Sequence, residues 1–154
     1  MRIKSIRLNN YRNYSHLTTE FNPGLNIIVG DNAQGKTNLL EAIYFMSTLR
    51  SFRTQNDRDL ISFDDDYFRI QCEIETELST NKATVVVLKN GKSIKINETM
   101  IKRSSEYIGF INCVIFSPQD LNFFNDSPRV RRRFLDIEST KISKKYLRAL
   151  NQYF

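Results

Sequence analysis

Residues 30–38 read GDNAQGKTN and follow directly on the apolar run LNIIV at 25–29. Gly30, four intervening residues and then Gly35-Lys36-Thr37 fit the pattern G-x-x-x-x-G-K-[ST], which has a mechanical basis. Glycines let the backbone curl so that successive N–H groups point inward at phosphate oxygens, and the positive end of the following helix faces the same anion. The Lys36 ammonium then reaches the β- and γ-phosphates of a nucleoside triphosphate, while the Thr37 hydroxyl takes the Mg²⁺ that bridges them. On these grounds Gly30, Asp31, Asn32, Ala33, Gln34, Gly35, Lys36 and Thr37 form a phosphate cradle. The competing explanation, a polar turn that merely joins two elements, leaves the Lys-Thr pair at the required place without a cause.

The flanks supply the context that the motif needs. The run at 25–29 predicts a short strand buried on both faces. After Gly35 the pattern changes to KTNLLEAIYFMSTL, with Leu39, Leu40, Ile43, Tyr44 and Met46 at helical spacing. Upstream, IKSIRLNNY and LTTEF predict two strands of a meander, followed by the turn chemistry of NPG at 22–24. Downstream, residues 54–61 predict a short helix capped by Asn56 or Asp57. YFRIQCEIETEL alternates with period two, placing Phe68, Ile70, Cys72 and Ile74 on one face. ATVVVLK, Asn90-Gly91 and KSIKIN then predict a hairpin, because both turn residues tolerate positive φ. INCVIF at 111–116 predicts another apolar strand. Ser117-Pro118 and Ser127-Pro128 each open a helical turn, and a last helix starts near Ser143 and runs without a cap, as expected of a piece of a longer protein.

At 154 residues with 40% hydrophobic and 12% aromatic content the chain suits one compact unit with a real core, not a disordered segment. No apolar run approaches the roughly 20 residues of a membrane span, and the start MRIKSIRLNNYRNY lacks a signal-peptide block, so no membrane partner and a cytoplasmic location are expected. Cys72 and Cys113 have no metal-ligand spacing around them and are expected to be buried free thiols. His16 is the single histidine, which excludes a His-based metal cage or a His dyad. The net charge of +6 is localised: residues 129–154 hold 8 basic and 2 acidic side chains, whereas residues 1–128 hold 15 of each. That cluster is either a solvated helix face or a contact with an anionic polymer.

A cradle alone does not hydrolyse a nucleotide; a carboxylate must hold the metal shell and another group must orient water. LISFDDD at 60–66 superficially resembles an acid-ended strand, but three successive acids suit a turn. Asp136 and Glu138 fall on the helix opened by Pro128. The catalytic carboxylates are therefore expected to be missing.

With these residues in place, the chain resembles the N-terminal part of the bacterial RecF family, DNA replication and repair ATPases related to the SMC and ABC ATPases. The resemblance spans residues 1–154 and rests on IKSIRLNNYRNY, GDNAQGKTNLLEAIY, LRSFRTQNDRDLI and, most specifically, VIFSPQDLNFFNDSPRVRRRFLD. It implies an α/β fold, a P-loop ABC/SMC-like ATPase head (lobe I) with an antiparallel sheet and the start of a helical lobe, divided as residues 1–116 and 117–154. It implies ATP and Mg²⁺ as cofactors of the loop at 30–37, Arg12 as an arginine that reaches the nucleotide, and Gln119, with Asp120 beside it, at the metal or the attacking water.

The resemblance also implies an ATP-dependent homodimer on double-stranded or gapped DNA, RecO and RecR as mediator partners in recombinational repair and the SOS response, and a signature motif and Walker B acids outside these residues. Arg129, Arg131, Arg132 and Arg133 are the candidate DNA phosphate contacts, supported by Lys141, Lys144, Lys145 and Arg148. Two other function classes stay open: a metabolite kinase using the same loop, and an interaction module that binds nucleotide without turnover.

Overall fold

The computed structural model describes residues 1–116 and 127–153. Its frame is one six-stranded, wholly antiparallel sheet in the order β2-β1-β3-β4-β5-β6, built from β1 (Arg2–Tyr11), β2 (Tyr14–Glu20), β3 (Tyr67–Glu75), β4 (Thr80–Leu88), β5 (Gly91–Ile96) and β6 (Thr99–Ile101). The N-terminal hairpin and the antiparallel unit after the helix are thus not two sheets. They are joined by β1 against β3, with Ile6 opposite Cys72 and Leu8 opposite Ile70.

Period-two alternation decides the buried face. Ile6 and Leu8 of β1, Phe68, Ile70, Cys72 and Ile74 of β3, and Ala83, Val85 and Val87 of β4 are all buried. Across them lies α1 (Lys36–Thr48), which contributes Leu39, Ala42, Phe45 and Met46 to the same core. Phe68 sits edge-on to both Tyr11 and Phe45, at centroid distances of 5.1 and 5.5 Å, an arrangement aromatic quadrupoles favour. The helix is nearly surrounded: Leu40 points outward at 46% exposure, while the charged Glu41 is fully buried. Four-residue α2 (Ser104–Tyr107) adds Tyr107 to the core, and α3 (Pro128–Ile142) and α4 (Lys144–Tyr153) form a helical pair beside it.

Several sequence expectations change in the structure. Residues 25–29 form no strand, and Leu25, Ile27 and Val29 are 84, 75 and 82% exposed. Residues 111–116 likewise form no strand; Val114 and Phe116 are exposed and Cys113 is half-buried. Both runs have the composition of interior strands, but no described residue pairs with their edges, and composition without a ladder does not make a strand. The β4–β5 hairpin turns at Lys89 and Asn90, with Leu88 opposite Gly91, so Gly91 is already the first residue of β5 and neither Asn90 nor Gly91 takes a positive φ. The residues that do are Asn97 and Glu98, at φ 47° and 68°, in the β5–β6 turn. The helix expected at 54–61 is a single 3₁₀ turn, Asp57–Leu60, whose Asn56 side chain accepts from the Arg58 amide as a cap should. Ser127 precedes Pro128 at the start of α3 without a side-chain cap bond. The helical turn expected at Ser117-Pro118 lies outside the described residues.

The C-terminal end of α1 is anchored from three sides. Leu49 adopts φ 56° and returns its amide to the Phe45 carbonyl at 2.8 Å. Lys92 donates to the Leu49 carbonyl at 2.7 Å, pairs with Asp57 at 2.8 Å and lies 4.7 Å from the Phe45 ring centroid, a cation placed where the helix dipole favours one. The buried Tyr107 hydroxyl donates to the Met46 carbonyl at 2.7 Å, whereas the Tyr11 hydroxyl, equally buried, has no hydrogen-bond partner among the described residues. Two isosteric substitutions should therefore diverge. Tyr107→Phe should lose about 1–2 kcal/mol in urea unfolding because a buried carbonyl loses its donor, while Tyr11→Phe should leave stability unchanged or raise it by about 1 kcal/mol.

Candidate nucleotide-binding site

The loop at 30–35 runs from the unpaired segment 25–29 into the N-terminus of α1. Its curl comes from three left-handed or glycine-type conformations: Gly30 at φ 152°, Ala33 at φ 67° and Gly35 at φ 94°. Gly35 is also required sterically, since an added Cβ would lie 2.7 Å from the Tyr14 hydroxyl and 2.8 Å from Asn13 Oδ1. The loop thus rests on the β1–β2 hairpin through its last glycine.

Lys36 is the first residue of α1, and its ammonium donates to the carbonyls of Gly30, at 2.7 Å, and Asp31, at 2.6 Å, closing the loop on itself. Within the loop only the Gln34 amide makes a backbone bond, a long one of 3.4 Å to the Asp31 carbonyl. The amides of Asn32, Ala33, Gly35, Lys36, Thr37 and Asn38 donate to no described residue. The first turn of α1 contains no acid and no side-chain cap. Amides without a partner, one ammonium and a helix N-terminus together make the donor set a polyphosphate requires and a cation would reject. Thr37 stands beside Lys36 on the same turn, where its hydroxyl could hold Mg²⁺ bound to the phosphates. Among the described residues no cluster of three or more His, Cys, Asp or Glu side chains could hold a metal by itself.

Beneath the loop lies a polar network that the sequence did not reveal. The fully buried Glu41 carboxylate receives Arg12 through Nε at 3.0 Å and Nη2 at 2.9 Å, Arg53 Nη1 at 3.3 Å and the Ser51 hydroxyl at 2.5 Å. Arg53 also donates to Asn38 Oδ1 at 2.7 Å, and Asn38 donates to Asn13 Oδ1 at 2.8 Å. Arg12 itself sits at φ 55° in the hairpin turn, sends Nη1 to the Asp59 carbonyl at 2.9 Å, and bonds through its amide to the Leu60 carbonyl at 2.8 Å. The Glu41 bond raises the guanidinium's pKa further, so Arg12 is permanently charged. Three of its five N–H donors are committed to the protein. The Tyr11 phenol nearby is pushed far up by burial and then by the Glu41 charge, and it stays neutral.

The other described sequence candidates belong to α3 and to the turn before β3. Arg129, Arg132 and Arg133 are exposed on α3, and Arg131 is half-buried there. Gln119 and Asp120 fall outside the described residues. Asp64 and Asp65 belong to a turn, as expected, with Asp65 accepting from Asn10 at 2.7 Å. Asp136 and Glu138 are on α3, engaged with Tyr146 at 2.5 Å and Lys141 at 2.7 Å.

An antiparallel sheet packed on a helix that begins in a G-x-x-x-x-G-K-T loop defines the class: an ABC/SMC-like P-loop ATPase head, lobe I. Residues 2–124 match the RecF/RecN/SMC N terminal domain family, and the chain belongs to it. It is 45% identical to the DNA replication and repair protein RecF of Staphylococcus aureus over 99% of its length, which is 41% of that relative. The chain therefore spans about two fifths of the curated relatives it matches. Among solved structures it superposes on the recombination mediator protein RecF-ATP in the RecFOR pathway with a TM-score of 0.91 and 38% identity, over 99% of this chain and 42% of that one. The corresponding RecF-ATPrS structure gives a TM-score of 0.93 at 38% identity, covering 99% of this chain and 42% of that one. The SMC head domain from Thermotoga maritima, at 18% identity and a TM-score of 0.55, covers 66% of this chain and 39% of that one and shares the fold.

The buried network yields a direct test. Glu41→Gln keeps the shape but leaves two guanidiniums facing a neutral amide, and it should cost about 3 kcal/mol of unfolding free energy in urea. An unchanged midpoint would show that Glu41 does not hold the hairpin to α1.

Proposed function

We propose that this chain is the nucleotide-binding lobe of a RecF-type protein that binds ATP with Mg²⁺ and acts on DNA in replication and recombinational repair. The observation that carries the reading is the loop at 30–37: free amides, a helix N-terminus without an acid, and Lys36 Nζ held within 2.7 Å of two loop carbonyls. Those carbonyl bonds are replaceable. Lys36 exchanges them for phosphate oxygens when a triphosphate enters, and the amides of Asn32, Ala33, Gly35, Lys36 and Thr37 donate to the same oxygens. Mg²⁺, when bound, neutralises charge on the β- and γ-phosphates, and Thr37 is the side chain that holds it.

Gly30, Asp31, Asn32, Ala33, Gln34, Gly35, Lys36 and Thr37 line the nucleotide. Arg12 reaches it with the two N–H donors not committed to Glu41 and Asp59, and Gln119 attends the metal. Residues 1–116 act as the nucleotide lobe and 117–154 as the opening of the helical lobe. Arg129, Arg131, Arg132 and Arg133 contribute contacts to duplex or gapped DNA, on which two copies close around ATP. RecO- and RecR-type mediators are the protein partners, and the cytoplasm is the compartment; no helix among the described residues is long and apolar enough to cross a membrane. ATP binding, rather than complete hydrolysis, is the step we assign to these residues alone.

Isothermal titration with ATP and Mg²⁺ tests this directly. Lys36→Ala removes a charge-assisted donor and should weaken ATP affinity by about 10- to 100-fold, equivalent to about 1.5–3 kcal/mol. Equal affinity in the variant and the parent protein would remove the loop from the reading.

A further inference from the structure

The two faces of the sheet differ in chemistry. One is closed by α1; among the described residues no helix closes the other. The strand register sorts the open face into cross-strand rows. One row runs Thr18, Arg7, Gln71, Thr84, Lys95 from β2 to β5. Beside it runs a second: His16, Asn9, Arg69, Val86, Ser93. Neither row contains a carboxylate. The acids of this face stand in other rows: Glu20 and Glu73 in a third row with Ser5 and Lys82, and Glu75 in a fourth, where Arg2 pairs with it.

We propose that this open sheet face, through Arg7, Arg69 and Lys95, is a docking surface for the phosphate backbone of duplex DNA. The inference rests on the DNA reading above and assigns it a surface distinct from α3. The side chains of Arg7, Arg69 and Lys95 form no hydrogen bond or ion pair with any described residue, unlike those of Arg2, Arg12, Arg53, Lys89, Lys92 and Lys141, which are all paired with carboxylates. Arg7 and Arg69 are exposed and Lys95 is half-buried.

Three features select the occupant. With strands about 4.8 Å apart, Arg7 and Lys95 stand about 14 Å apart across one row, with Arg69 between them on β3. Such a span meets several charges of a duplex, which carries one per about 1.7 Å of axis. The intervening Asn, Gln, Thr and Ser side chains are the neutral donors that accompany Arg and Lys on phosphate oxygens. A single strand would demand aromatic platforms for its bases, and neither row offers a Phe, Tyr or Trp. The face is also too broad to enter a groove, so it tracks the backbone and reads no sequence.

The test compares the parent chain with the triple variant Arg7→Gln, Arg69→Gln, Lys95→Gln, using a fluorescent duplex titrated with ATP present between about 50 and 200 mM salt. The log–log salt slope should become shallower by about 2–3, close to 0.9 for each phosphate no longer neutralised, with about tenfold or more weaker binding at the lowest salt. ATP affinity should stay unchanged, because the loop lies on the helix-bearing side of the sheet. Glu73→Gln, which removes the nearest acid, should tighten duplex binding. An unchanged slope and affinity in the triple variant overturns the inference while leaving the DNA reading standing. A weakening confined to single-stranded oligonucleotides overturns it too, as does a parallel fall in ATP affinity. A parent chain that fails to bind duplex at any salt sinks both.

Discussion

A single buried carboxylate organises this molecule. Glu41 lies inside α1 with no solvent exposure, and its charge is tolerable only because Arg12, Arg53 and Ser51 converge on it. Those three residues come from the β1–β2 hairpin and from the segment after the helix, so one anion fixes the orientation of three parts of the chain. The cost of burying the charge is met by geometry: a bidentate guanidinium, a second cation and a hydroxyl occupy the carboxylate's lone pairs. The arrangement has a purpose beyond stability. It locks the start of α1 against the hairpin turn that carries Asn13 and Tyr14, and Gly35 rests against those two side chains. The loop at 30–35 is therefore tied, through Gly35, to a hairpin that a buried ion pair holds against α1.

What could be learned from sequence divides along the distance over which the cause acts. The curl of the loop into α1 was legible because its cause is local: glycines at fixed spacing ahead of a run with helical periodicity. Alternation at Phe68, Ile70, Cys72 and Ile74 was legible for the same reason, since one sheet face alone decides it. The runs at 25–29 and 111–116 misled because their hydrophobicity advertises partners that the described residues do not supply. Glu41 was invisible because an acid within an amphipathic helix ordinarily faces water, and only the long-range arrival of Arg12 and Arg53 reverses that expectation. Asn90-Gly91 marked a hairpin correctly but not its register; the turn moved back to Lys89-Asn90 so that Leu88 and Gly91 could pair.

Family membership and the superpositions on RecF-ATP structures concern the chain as a whole. The assignment of individual donors rests on the loop's own geometry, where the lysine already sits among the carbonyls and the amides await an acceptor. Neither support depends on α3, whose arginines and exposed Phe134 and Leu135 form a surface of separate character. DNA contact through α3 and contact through the sheet are thus independent ideas, and failure of one leaves the other intact.

The cradle is secured unequally at its two ends. Its exit continues into a helix packed on the sheet, whereas its entrance, residues 25–29, pairs with no strand among the described residues. The downstream half of the loop therefore takes its shape from α1 and from the β1–β2 hairpin together, and any side chain introduced at Gly35 would push against Asn13 and Tyr14 at once.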